Sequence, residues 1–175
     1  SVYTWLTAMV EVAALTDAER YSEADARALE ATVAIQRITP DDDYNNMYVA
    51  SVLGSLRQAE GRHTEAISNS RRALETIQKI YERDHVEIAQ LRIALASSLI
   101  VSEDAAVLDE AESLIESAFE ALGRKPEPEN EATLGLAYLA RSRLHMVRGE
   151  PKSARSDLDE ALMRLASPEY APKRR

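Results

Sequence analysis

The sequence predicts an all-α protein made of about four pairs of antiparallel helices, and three observations lead to this prediction. Valine and isoleucine recur at helical spacing and do not alternate with polar residues. The chain has only 5 Gly and 6 Pro, which is few for a protein built on tight hairpins. A motif of two alanines, the second seven residues after the first, occurs four times. Its recurrence indicates an array of similar structural units within one domain.

The alanine motif defines the repeat. The pairs are Ala24 and Ala31, Ala66 and Ala73, Ala111 and Ala118, and Ala154 and Ala161, so the copies are 42, 45 and 43 residues apart. Each copy divides into two helical stretches. The predicted helices are 2–16 with 21–38, 44–60 with 64–81, 86–102 with 108–122, and 129–148 with 151–166, followed by a tail at 167–175. The repeats are therefore 2–38, 44–81, 86–122 and 129–166 of a single domain spanning 1–175.

Small residues mark both the turns and the helix contacts. Gly61 and Gly149 suit the left-handed residue that ends a helix, and Pro151 suits a first helical turn. Residues seven apart lie two turns apart on one helix face. The alanine pairs therefore predict close packing of paired helices, with Gly54 serving the same purpose on the partner helix.

The two ends of the array differ in pattern. Apolar residues surround most of the first helix, which predicts that another protein surface covers it. They are Val2, Tyr3, Trp5, Leu6, Met9, Val10, Val12 and Leu15. In the last helix, Leu158, Leu162 and Leu165 share a stripe with the alanines, while a polar, solvated outer face is expected to carry Arg155, Asp157, Asp159 and Arg164.

These features together resemble the tetratricopeptide repeat. The residues that carry the resemblance are Leu53-Gly54, Gly61, Ala66 and Ala73. The usual unit of that family is about 34 residues. The longer spacing here, and the segment "YERDHVEIAQLRIALASSL" at 81–99, are similar to kinesin-light-chain-like versions with longer helices. The third copy departs from the pattern, since "VSEDAAVLDEA" carries about three extra residues in its turn and no glycine.

The resemblance implies an α-α superhelix whose concave groove is lined by the first helix of each pair. Methionine and tyrosine suit such a peptide-binding surface. Val52 and Ser55 replace two asparagines of the family's chaperone-binding carboxylate clamp, so that clamp is not expected. The candidate groove residues are Met9, Tyr48, Ser51, Ser55, Gln58, Gln90, Ser97, Leu139, Arg143 and Met146.

Basic residues offer a second candidate feature of the groove. Arg141, Arg143, His145 and Arg148 lie close together in one predicted helix. Two further arginines, Arg57 and Arg92, lie on its counterparts, and Arg57 stands where the family has a large apolar residue. Solvated surface is one interpretation of this set. The other is that some of these residues bind an acidic peptide.

Charge and composition exclude several functions. The net charge of −9 argues against nucleic-acid binding, and the short basic end at 173–175 does not reverse this. No apolar run is long enough to cross a bilayer. The absence of cysteine excludes disulfides, thiolate metal sites and a cysteine nucleophile, and agrees with a cytoplasmic location.

No motif indicates catalysis or a cofactor. The segment "DDDYNN" at 41–46 alternates acids as an EF-hand does, but Asn46 and Val52 occupy the places that require Gly and Glu. A solvated turn with a helix N-cap is the expected structure there. The three histidines form no metal motif, and no nucleophile elbow or phosphate loop is present.

The sequence therefore predicts a non-catalytic module that binds a peptide or partner domain in its groove. By analogy with the family, it is expected to be the C-terminal part of a larger bacterial signalling or regulatory protein, preceded by a segment before Ser1. The alternative is a structural module whose apolar first helix forms a homodimer or covers a neighbouring domain.

Overall fold

The computed structural model describes residues 2–39, 41–82, 84–102, 104–124 and 130–166. These residues contain eight α-helices and no strand, which confirms the all-α prediction. The tail at 167–175 and the side chains of Val2 and Tyr3 lie outside the described part. The helices are α1 (Val2–Asp17), α2 (Tyr21–Ile38), α3 (Asp43–Ala59), α4 (His63–Ile80), α5 (Val86–Val101), α6 (Leu108–Arg124), α7 (Glu131–Val147) and α8 (Pro151–Leu165).

The chain divides into two compact units, Ser1–Tyr81 and Glu82–Arg175. In unit 1, α1 pairs with α2 and α3 with α4, and α3 also packs on α1 and α2. In unit 2, α5 pairs with α6 and α7 with α8, and α7 also packs on α5 and α6. Each unit is thus two helical hairpins, the second beginning with a helix that covers the first. The organisation of both units as one domain stays a prediction.

Alanines make the paired helices fit closely. All eight residues of the four alanine pairs are buried, with at most 3% of their surface exposed. Gly54 of α3 comes so near α4 that an added Cβ would lie 2.9 Å from the Ser70 Oγ. The last hairpin has a corresponding contact, in which the Ser142 Oγ of α7 donates to the Ala154 carbonyl of α8 at 2.7 Å. Small side chains therefore permit the close approach that the sequence spacing predicts.

Three hairpin turns pass through a left-handed residue. Gly61 and Gly149 have φ values of 74° and 76°, and Glu19 adopts φ 58° at the corresponding place in the first hairpin. Glycine is favoured here because a side chain crowds the left-handed backbone. In the link between the hairpins of unit 1, the Asp42 carboxylate accepts a hydrogen bond from the Asn45 N–H at 2.9 Å, which confirms the predicted N-cap.

The turn of the third copy has its own short element. A 3-10 turn, Ala105–Val107, lies between α5 and α6. The Asp104 carboxylate accepts from the Ala106 N–H at 2.9 Å and so holds the start of this turn. The segment with about three extra residues and no glycine thus connects its helices without a left-handed glycine.

Helix α1 is buried on one side only. Trp5, Met9 and Val12 belong to the core of unit 1. On the other side, Leu6 and Val10 are 43% and 56% exposed. Within the described residues, the apolar outer side of α1 therefore has no covering helix.

The expectation of a polar outer face on α8 is wrong for Asp157, whereas Arg155 and Asp159 are exposed as expected. Asp157, expected to be solvated, is buried and accepts hydrogen bonds from Arg141 of α7. The alanines of the stripe are buried against α7, and Leu165 packs on Gly135 of α7, where an added Cβ would lie 2.8 Å from the Leu165 Cγ. Leu158, Leu162 and Leu165 are 38%, 57% and 39% exposed.

The close contact at Gly54 gives a first prediction. Gly54→Val should lower the free energy of unfolding by about 1–3 kcal/mol, because its methyl groups would overpack the contact with Ser70. Urea denaturation followed by circular dichroism measures this change. Gly123→Val is the control, since an added Cβ at Gly123 meets no atom within 4 Å. Equal effects of the two substitutions would contradict the packing explanation.

Candidate partner-binding surface

In unit 1, the first helices of the two hairpins, α1 and α3, lie against one another. Of the residues expected in the groove, Ser55 is exposed, and Tyr48, Ser51 and Gln58 are partly buried. Tyr48 packs edge-on against Trp5 of α1, with 6.2 Å between ring centroids. Met9 is completely buried in the core, so it is not available to a partner in this structure, in contrast to the groove position expected for it.

In unit 2, α5 and α7 form the corresponding surface. They are joined at one point by a 3.2 Å hydrogen bond that Gln90 donates to Thr133. Gln90 is exposed and Ser97 is partly buried. On α7, the expected residues Leu139, Arg143 and Met146 follow one another at helical spacing and therefore share a face. Leu139 is partly buried, Arg143 is exposed and Met146 is 60% exposed.

Arg143 differs from its neighbours in having no polar partner among the described residues. Arg141 donates two hydrogen bonds to Asp157, at 2.7 and 2.8 Å. Arg148 lies 2.8 Å from a carboxylate oxygen of both Asp109 and Glu112. Arg141 and Arg148 are therefore already paired with carboxylates within unit 2, and the interpretation that some of these basic residues bind an acidic peptide stays a prediction for Arg143.

The Arg141 guanidinium is fixed on three sides. It lies 4.6 Å from the centre of the Phe119 ring and 5.2 Å from that of Tyr138. Its hydrogen bond to Asp157 raises the pKa of Arg141 above the ordinary value, although burial opposes the change. This arginine joins α7 to α8 and is a structural residue.

The other two arginines of the expected set are also occupied. In unit 1, Arg57 lies 2.5 Å from Asp25 and 2.6 Å from Glu60. Burial lowers the pKa of Arg57, but its hydrogen bonds to Glu60 and Asp25 outweigh that effect, so its pKa is raised. A network of ion pairs thus takes the place of the large apolar side chain found in the family. In unit 2, Arg92 is buried and donates to the Ser117 carbonyl at 3.4 Å.

The histidines have separate local roles. The His85 Nδ1 accepts from the Glu87 N–H at 3.3 Å and caps α5. The His145 Nδ1 lies 2.6 Å from Glu150, and His63 is partly buried at the start of α4. No group of three or more metal-ligating acids or histidines occurs among the described residues.

Two clefts of unit 1 are lined by none of the ten candidate groove residues. One, of about 230 Å³, is lined by α2, α3 and α4 and includes Arg72. The other, of about 460 Å³, is lined by α2 and α3 and includes Leu29. The second cleft is also lined by Arg57, one of the basic residues considered for the groove. No motif in the sequence predicts these clefts, because a cleft depends on how the helices pack.

The contrast between paired and unpaired arginines gives a second prediction. Asp157→Ala should lower the free energy of unfolding by about 1–2 kcal/mol, since it removes both hydrogen bonds of Arg141. Arg143→Glu should change it by less than about 0.5 kcal/mol. Urea denaturation measures both. A loss of stability in Arg143→Glu as large as that in Asp157→Ala would contradict these roles.

Comparison with known proteins finds one family model that matches the central part of the chain. Residues 43–106, which contain α3, α4 and α5, match the family model described as tetratricopeptide repeat. No curated protein matches the chain. Within the described residues, no helix is long and apolar enough to cross a bilayer. Repeats of this family are typically protein–protein interaction modules. The chain is therefore all-α in its described residues, and residues 43–106 are similar to the tetratricopeptide repeat.

Proposed function

We propose that the chain is a non-catalytic module that binds a peptide or partner domain on the surface of its first helices. The observation that carries this proposal is the stripe on α7. It offers an exposed cation, Arg143, between the apolar side chains of Leu139 and Met146. That the α7 surface and the surface of α1 and α3 form one continuous groove stays a prediction.

The stripe favours an extended or helical peptide that carries one acidic residue beside apolar ones. A carboxylate on the partner would form a charge-assisted hydrogen bond with Arg143. Met146 adapts its unbranched side chain to different apolar partners, which suits a surface that binds several sequences. Neighbouring Arg141 and Arg148 would not compete for the ligand, because each already has carboxylate partners.

A displayed library of random peptides tests this function. We expect the selected peptides to be rich in Asp or Glu next to apolar residues. Their binding, measured by fluorescence polarisation, should weaken about tenfold or more in Arg143→Glu, because a charged hydrogen bond is worth about 1.5–3 kcal/mol.

Arg37→Glu is the matched control, since Arg37 is exposed in the last turn of α2 and outside the candidate surface. Ser55→Arg extends the test to unit 1 without changing its core, whereas Tyr48→Ala would also remove the packing on Trp5. Equal binding by wild type and Arg143→Glu, or equal losses in Arg143→Glu and Arg37→Glu, would refute the α7 surface.

The exposed side of α1 supports a second function, which is contact with another protein surface. Leu6 and Val10 are large apolar residues one turn apart, and exposed apolar patches often mark such contacts. The buried Trp5 Nε1 of the same helix has no hydrogen-bond partner among the described residues. Either a neighbouring domain or a second copy of the chain would satisfy this proposal.

Val10→Asp tests the second function. It should abolish any association that uses α1, because burying an unpaired carboxylate is costly. Sedimentation velocity over a concentration series, alone and with any further domain of the protein, provides the measurement. If Val10→Asp associates as wild type does, α1 is not the contact surface. The bacterial signalling context and the cytoplasmic location stay predictions.

A further inference from the structure

The two clefts of unit 1 meet along α2, because Thr32 lines both of them. One face of α2 contributes residues at helical spacing, namely Asp25, Leu29, Thr32 and Gln36. A face of α3 does the same with Asn46, Val49, Leu53 and Arg57. Each face extends over about three helical turns, or about 16 Å. The two clefts together are called the α2 cleft below.

The two ends of the α2 cleft differ in chemistry. The larger end, of about 460 Å³, is mainly apolar, with Ala28, Leu29 and Leu53. Arg57 and Asp25 also line this end, but they are 2.5 Å apart and satisfy each other. The smaller end, of about 230 Å³, is more polar. Its lining residues outside Ile35 and Val49 are Thr32, Gln36, Asn46, Arg72 and Thr76.

Arg72 is the cation of the smaller end. It is exposed on α4, and its guanidinium donates to the Asn69 Oδ1 at 3.3 Å. Within the described part of the chain it has no carboxylate partner, unlike Arg57 at the larger end. A guanidinium held beside amide and hydroxyl groups in a cleft favours a carboxylate ligand, with which it can form charge-assisted hydrogen bonds.

Unit 2 has larger or charged side chains at the corresponding positions. The alanine pairs relate α6 to α2 by 87 residues, and α7 and α8 to α3 and α4 by 88. By this relation Thr32, Leu53 and Asn69 correspond to Phe119, Arg141 and Asp157. In unit 2 these three side chains contact one another, since Arg141 lies 4.6 Å from the Phe119 ring centre and donates to Asp157. Unit 1 therefore lacks the ring, the guanidinium and the carboxylate that connect α6, α7 and α8.

We propose that the α2 cleft binds an extended segment of a partner protein that carries an aromatic residue and a carboxylate. The aromatic ring packs on Leu29 and Leu53, in the space that Phe119 takes in unit 2. The carboxylate pairs with Arg72. This site lies on α2, α3 and α4 and is separate from the stripe on α7, so it does not rest on the function proposed above.

The size of the cleft determines the form of the segment. A helix with its side chains is about 10–12 Å wide, so three turns of it occupy more than about 1,000 Å³, which exceeds the volume of both clefts. An extended chain with one inserted side chain is smaller. The cleft is also shallow, since Leu29 on its wall is 67% exposed. A small molecule usually buries most of its surface, so a polypeptide is the better occupant.

The spacing of the two groups follows from the helix geometry. Leu29 at the apolar end and Gln36 at the polar end are about two turns apart on α2, which is about 10 Å. An extended chain rises about 3.3 Å per residue. The aromatic residue and the carboxylate of the partner are therefore about three residues apart.

A blocked hexapeptide is the probe for this site. It carries a phenylalanine and an aspartate three residues apart, with serine at the other positions. At millimolar concentration it should shift the NMR signals of Thr32, Leu53 and Thr76. Replacing its phenylalanine by alanine, or its aspartate by asparagine, should weaken binding about tenfold or more, because each change removes one of the two contacts.

Two substitutions in the cleft test the assignment from the side of the protein. Arg72→Glu should weaken binding of the probe about tenfold or more, because two carboxylates would then face each other. Thr32→Phe introduces the ring that unit 2 has at this position and should exclude the phenylalanine of the probe. Thr32 is partly buried and its hydroxyl bonds only within α2, to the Ala28 carbonyl, so the helix tolerates this change.

Arg155→Glu is the charge-matched control. Arg155 is an exposed arginine of α8 in unit 2, outside the α2 cleft, so this variant should bind the probe as wild type does. Circular dichroism verifies that all three variants are folded. The signals of Leu139 and Met146 report separately on any binding of the probe to α7.

Three results would overturn the cleft as a binding site. One is a wild type in which the probe shifts no signal of the cleft, including the case in which only Leu139 and Met146 respond. Another is equal binding by wild type and Arg72→Glu, or by wild type and a folded Thr32→Phe. The third is equal binding of the probe and its asparagine form, which would show that Arg72 recognises no carboxylate.

Discussion

The close approach of two antiparallel helices at alanine-sized positions is the contact on which the rest of this structure depends. Because the eight alanines are buried, each hairpin is held at a short distance along two turns of helix. Gly54 and Ser142 make further close contacts on the first helices, with Ser70 and with the Ala154 carbonyl. Because the two helices of a hairpin meet at their small residues, larger side chains elsewhere on the same helices can pack on the next hairpin of the unit. The same spacing therefore determines both the pairing of helices and the faces available for stacking.

The exposed and partly buried arginines fall into two groups, those that already pair with a carboxylate of the chain and those that have no such partner among the described residues. Arg57, Arg141 and Arg148 join one helix to another through carboxylates. Such a guanidinium is a poor candidate for ligand binding, because a ligand would have to displace an existing partner. Arg143 lies on the same helix as Arg141 but faces away from α8, and it has no such partner among the described residues. On α7, therefore, helix geometry separates a structural arginine from one that can bind a ligand.

In a stack of helical hairpins, a terminal helix has no neighbouring hairpin to cover its outer face. Within each unit the first helix of the second hairpin packs on the first hairpin, and the described residues leave apolar side chains exposed on α1 and on α8. Many arrays solve this with a polar terminal face. Here α8 presents three leucines and α1 presents Leu6 and Val10.

The sequence alone determined the fold class, the eight helices and the positions of the tight contacts, because periodicity and residue size act locally along the chain. It also predicted the N-cap at Asp42 and the left-handed Gly61 and Gly149, since turn chemistry requires particular residues at particular places. The tertiary structure decided which side chains are open to a partner. It buried Met9, used Arg141 to bind Asp157 and left Leu162 exposed, because burial and ion pairing depend on which helices meet. The sequence shows which residues share a helix face, but the packing of the helices decides which of those faces stay exposed.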